Sequence, residues 1–149
     1  MTDLRGLIRF HRWHLDEKQR ALADLHTLED RLHADAARLE DEIKAEQHAT
    51  RANFEIAFGY ARFARAAIGR RAQIAQSITQ VQARIAEASE ALAEAFQEVK
   101  RYELAQDERV RQEKEKRRHK ENELLDETAA IGFRRRQDEE HGTSGGRPD

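Results

Sequence analysis

Along the first fifty residues, one series of positions advances by alternating steps of four and three: Leu4, Ile8, His11, Leu15, Lys18, Leu22, Leu25, Glu29, Leu32, Ala36, Leu39, Ile43, Glu46 and Thr50. A step averaging 3.5 residues keeps one stripe of an α-helix turned toward a partner while both wind into a left-handed supercoil. Most members of the series are apolar, and the polar ones are spaced among them. A second series runs through Ile74, Ile78, Val81, Ile85, Ala88, Leu92, Ala95, Val99, Tyr102, Gln106 and Val110, with Leu124 and Ile131 in phase further on. Two seams of similar length in one chain can close on each other. The predicted fold is therefore all-α, a long two-helix antiparallel coiled-coil hairpin with a disordered C-terminal tail.

The segment between the seams gathers aromatic residues, and Gly59 within it offers the backbone freedom of a reversal. The tip is placed at residues 50–62, with Gly69 as the alternative pivot. The hairpin then covers residues 1–135, with arm one at about 3–57, the tip at about 50–62 and arm two at about 61–132; residues 136–149 form the tail. Reversal near Gly59 sets Val110 opposite Ile8 and leaves residues beyond about 117 without a first-arm partner, so the second helix overhangs. Residues 113–123 are almost all charged, and Glu, Lys and Arg at i,i+4 spacing support an exposed helix. The helix is expected to stop after Ile131-Gly132.

Composition agrees with thin stripes and not with a thick core, since charged residues make up 38% of the chain, hydrophobic ones 38% and aromatic ones 6%. There is no cysteine, which excludes disulfides, thiolate metal sites and a cysteine nucleophile. The opening residues break into charge before any apolar run of signal-peptide length, and no window approaches the roughly 20 apolar residues of a membrane span. A soluble, cytoplasmic chain without an integral membrane segment is expected. The net charge of −2 is unevenly spread. Eight acids stand against Arg31, Arg38 and Lys44 in residues 24–46, whereas Arg51, Arg62, Arg65, Arg70 and Arg71 face only Glu55 in residues 51–71.

Little in the sequence points to catalysis. His11 and His14 have the i,i+3 spacing of paired metal ligands, but no third ligand is placed to complete a set. Glu40, Asp41 and Glu42 are consecutive and fan around a helix instead of converging. The C-terminal glycine pairs follow no strand and open no helix, unlike a phosphate-binding loop. No enzyme activity, cofactor or metal is expected. Arg134-Arg135-Arg136, or the arginine-rich tip, suits phosphate contact with nucleic acid or anionic lipid. The acidic flank Asp138-Glu139-Glu140 and the mildly acidic total argue against that as the main role, and nucleic acid is not the expected partner. Two groups suit protein contact. Phe10 and Trp13 fall off the first seam, where they either form a docking surface or pack on the second arm. Phe54, Phe58, Tyr60 and Phe63 make the tip its most aromatic part, and with the neighbouring arginines they form either a hot spot or a small tip core.

The opening Leu4-Arg5-Gly6-Leu7-Ile8-Arg9-Phe10-His11-Arg12-Trp13-His14-Leu15-Asp16-Glu17-Lys18, the tip sequence Tyr60-Ala61-Arg62-Phe63 and Phe96-Gln97-Glu98-Val99-Lys100-Arg101-Tyr102-Glu103 together resemble the FliJ family of flagellar type III export proteins, with injectisome stalk proteins as relatives. The resemblance covers residues 1 to about 135. It implies a cytoplasmic antiparallel coiled coil, similar to the two-helix stalk of the rotary ATPase gamma subunit and peripherally associated with the cytoplasmic face of the inner membrane. The implied partners are the export ATPase hexamer, the export gate membrane protein and substrate chaperones, in the service of flagellum assembly and motility. By this similarity Phe63 lies on the gate-binding face, together with Tyr60, Arg62, Ala67, Phe54 and Phe58. Phe10, Trp13, Arg9, Arg12 and Tyr102 mark the paired termini, toward the ATPase or another partner. The alternative is a structural coiled-coil scaffold or a self-assembling rod unrelated to export.

Overall fold

The computed structural model describes residues 3–52 and 57–142. Two helices account for nearly all of them: α1, Arg5–Ala52, and α2, Ala57–Gly142. Among the described residues there is no strand, and none has a positive φ. The chain divides into two units within α2, one being Leu4–Tyr102 and the other Met1–Asp3 with Glu103–Asp149.

In Leu4–Tyr102 the two helices run antiparallel, as three cross-helix contacts require. Near the tip Arg71 Nε donates to the Glu40 carboxylate at 2.7 Å, and Arg70 lies 3.9 Å from Glu42. Far from the tip the His11 and Tyr102 rings stack with centroids 4.6 Å apart. Residue numbers fall in one helix as they rise in the other, and the pairs share a midpoint at about residue 56.

The shielded positions are those the heptad pattern predicts. Every member of the first series except Glu46 is buried or half-buried, with Ile8 and Leu39 most deeply covered. In the second series every member from Ile74 to Tyr102 is shielded, and Val81, Ala95 and Val99 are buried. Among the described residues no large side chain is completely enclosed. With only two helices, a seam residue is covered by its partner helix but stays open toward the flanks, and this explains the many half-buried positions.

Three local expectations are corrected. Gly59 and Gly69 lie inside α2 with ordinary helical backbone, so neither is the pivot. A glycine costs a helix only about 1 kcal/mol relative to alanine, and an alanine-rich helix paired to α1 absorbs that. α1 ends at Ala52 and α2 begins at Ala57, and residues 53–56 of the expected tip lie outside the described residues. The pairing register shifts accordingly, and Tyr102 stands beside His11, whereas a pivot at Gly59 had set Val110 opposite Ile8. Finally, α2 passes through Gly132 and continues to Gly142, so residues 136–142 are helical where a tail was expected. Residues 133–141 carry arginine, glutamine and glutamate, which favour helix, and His141 Nδ1 lies 2.9 Å from the Gln137 carbonyl oxygen one turn back. The remaining tail residues, 143–149, lie outside the described ones.

Candidate protein-docking surfaces

At the end of the hairpin where α1 begins, the seam is closed by the His11–Tyr102 stack, with the rings inclined by 22°. His11 belongs to the heptad series and faces the partner helix; Phe10 and Trp13 are displaced from it by one and two residues and turn outward. Both are exposed, Phe10 by 56% and Trp13 by 57%. Neither ring is enclosed between the two arms. They form a surface ladder in which Phe10 lies 6.4 Å from Trp13 and stacks almost parallel to His14, also at 6.4 Å. Arg9 and Arg12 are exposed beside them, whereas Tyr102 is half-buried with one face on His11. A groove of about 460 Å³ opens next to this ladder, between His11, His14 and Lys18 of α1 and Glu94, Glu98 and Arg101 of α2. Among the described residues no three His, Cys, Asp or Glu side chains are placed to hold a metal ion.

At the tip, Phe54 and the Phe58 side chain lie outside the described residues. Tyr60 and Phe63 are half-buried, with ring centroids 6.4 Å apart. Arg62 is exposed and available for contact. Ala67 is only 6% exposed, because it falls on the seam side of α2, so it packs the hairpin and presents no outward surface. The sequence reading missed Ile68, its neighbour, which is 64% exposed. It also missed Phe96, an exposed ring off the seam with Lys100 Nζ 5.5 Å from its centroid, a cation–π distance. Ile68 was hidden in the apolar run Ala66-Ala67-Ile68, ahead of the second series, whereas Phe96, one residue past the seam position Ala95, carried the same offset signal as Phe10.

A sequence model of the flagellar FliJ protein matches residues 1–138. The chain belongs to the FliJ family. It is accordingly a component of the flagellar type III export apparatus. No curated protein and no solved structure gives a significant match.

In this family member the stretch of α2 beyond Tyr102 is a third surface, described by itself. Nearly every side chain in residues 103–142 is exposed, including Leu104, Leu124, Leu125, Ile131 and Phe133. Local pairs support it instead of a seam. Arg111 grips Glu108 in a fork, with Nε to Oε2 at 3.1 Å and Nη2 to Oε1 at 2.7 Å, and its Nη1 donates to Glu115 at 3.1 Å. The Arg111 hydrogen bonds hold the Glu108 carboxyl below its ordinary value and raise Arg111 in turn. No helix among the described residues is long and apolar enough to cross a membrane.

Proposed function

We propose that this export component is a non-catalytic stalk that binds the export ATPase hexamer and stimulates it. In this reading the tip meets the export gate membrane protein, and the chain escorts substrate chaperones, working in the cytoplasm and peripherally at the cytoplasmic face of the inner membrane. The observation that supports it best is the run of uncovered side chains in residues 103–142, together with the exposed Phe10 and Trp13. A helix that keeps large apolar residues in water without a seam of its own is built to be covered by another molecule. Arginine and aromatic residues around Arg9, Phe10, Arg12 and Trp13 match the composition of interface hot spots.

Coupling needs no chemistry from the chain. A stiff hairpin that binds one subunit conformation of a ring more tightly than another shifts the populations of those conformations, and the ATP chemistry stays with the ring. The self-assembling rod is the poorer reading, because the seams it would use are already closed within one chain.

The test is the ATP hydrolysis rate of the export ATPase alone, with the full chain, and with the chain truncated after Tyr102. Stimulation by the full chain that the truncated chain fails to reproduce is expected. A competent ATPase that does not respond to the full chain rules out the stalk mechanism.

A further inference from the structure

Acidic residues are numerous in this chain, 29 in all, yet residues 56–86 contain none, while carrying Arg62, Arg65, Arg70, Arg71 and Arg84. These arginines are not equivalent. Arg70 and Arg71 are tied across the seam to Glu42 and Glu40. Closer to the tip the opposing stretch of α1, residues 47–52, offers no acid at all, and Arg51, Arg62 and Arg65 are exposed without an ion pair among the described residues. Arg62 and Arg65 stand at i,i+3, on one outward side of α2, and Ile68 continues that side one turn on from Arg65. Ala66 and Gly69, beside them on α2, are small and exposed.

The geometry points to an anionic lipid surface as a partner of the hairpin tip. Guanidinium groups spread over two helices, with an exposed isoleucine beside them, suit a plane of phosphate headgroups, which rewards total charge and shallow apolar insertion without demanding convergence. An acidic protein pocket would instead favour donors gathered around one point. The size of the effect follows from charge. Each arginine near an anionic leaflet contributes about fivefold in partitioning, equivalent to about 1 kcal/mol. Three arginines offset by Glu55 leave a net of two charges, or about 25-fold preference for anionic over zwitterionic vesicles. The contact deepens the peripheral membrane placement proposed above and rests on the tip arginines and Ile68, so it stands or falls separately from the gate and from ATPase stimulation.

The experiment is vesicle flotation of the full chain, using phosphatidylcholine vesicles and vesicles in which phosphatidylglycerol replaces part of the phosphatidylcholine. Binding to the anionic vesicles is expected, weakening as salt is raised because exposed charges are screened. The R62A/R65A double variant should lose about 25-fold, R62K/R65K should retain binding, and Ile68→Ser should lose a few-fold. R117A/R118A, in the stretch beyond Tyr102, should bind as the parent chain does, and circular dichroism should show each variant to be as helical as the parent. Equal binding to both kinds of vesicle overturns the proposal, as does an undiminished R62A/R65A variant. Absence of flotation with capture of the tip by polyglutamate also overturns it, and assigns the arginines to an acidic protein.

Discussion

One helix, α2, is held in two different ways along its length. Before Tyr102 its stripe of Val81, Ala95 and Val99 is pressed against α1. Beyond Tyr102 its large apolar residues lie in water, and pairs such as Arg111 with Glu108 and Glu115 are what supports it. The same helix-favouring composition serves both stretches, so helix propensity does not distinguish them. The distinction lies in tertiary cover, which usually contributes most of a helix's stability in proteins. Exposed local pairs contribute little each, so a helix stretch that leans on them opens more readily than a seamed one and has its apolar side chains open to a partner.

The largest break in this comparison comes from the seam. Leu39 is 3% exposed, and Leu39→Ala should lower stability by about 2–3 kcal/mol, the lower part of the range for core leucines, because a two-helix seam collapses more easily than a globular core. A thermal melt followed by circular dichroism reads this as a drop in the main transition. The next effect has the opposite sign. Gly59 is helical and a Cβ built there meets nothing within 4 Å, so Gly59→Ala should stabilise the hairpin by up to about 1 kcal/mol. A loss of stability on making that substitution would restore Gly59 as the pivot.

The heptad pattern made the seam legible residue by residue, because burial in a two-helix coil depends on little except position in a 3.5-residue repeat. Glu46, the one exposed member of the first series, shows the limit of that reading near the tip. The reversal was legible only to within several residues, since Gly59 signals a turn by its freedom but is equally tolerated inside a well-paired helix. The continuation to Gly142 was missed because Gly132 was read as a stop, although the residues beyond it are good helix formers. Of the candidate contacts, Phe10 and Trp13 are outward as their offset from the first seam predicts, and Arg62, for which no seam offset was read, is exposed as well. Ala67 is inward because it belongs to the second stripe extended toward the tip, seven residues before Ile74.

The smallest expected effect sharpens the same comparison from the other side. Arg111→Ala should cause a small loss of helix in residues 103–142 and leave the main thermal transition unchanged, because its partners lie on its own helix. Acidification acts on the same pairs. The Arg111 hydrogen bonds hold the Glu108 carboxyl below its ordinary value, so its contribution is present above the unfolded-state value and is lost as pH falls through the lowered value of the folded state. Hydrogen exchange of residues 103–142 should therefore quicken on acidification more than intrinsic rates alone account for, and Arg111→Ala should abolish that excess.

The measurement that bears most directly on the account is amide hydrogen exchange along α2, on the chain alone and with the export ATPase. The account predicts slow exchange in residues 57–102 in both samples, and fast exchange in residues 103–142 that becomes slow when the ATPase is added. Equal protection on both sides of Tyr102 in the chain alone would contradict the division of the helix, and residues 103–142 left fast by a bound, competent ATPase would contradict their role as the surface it covers.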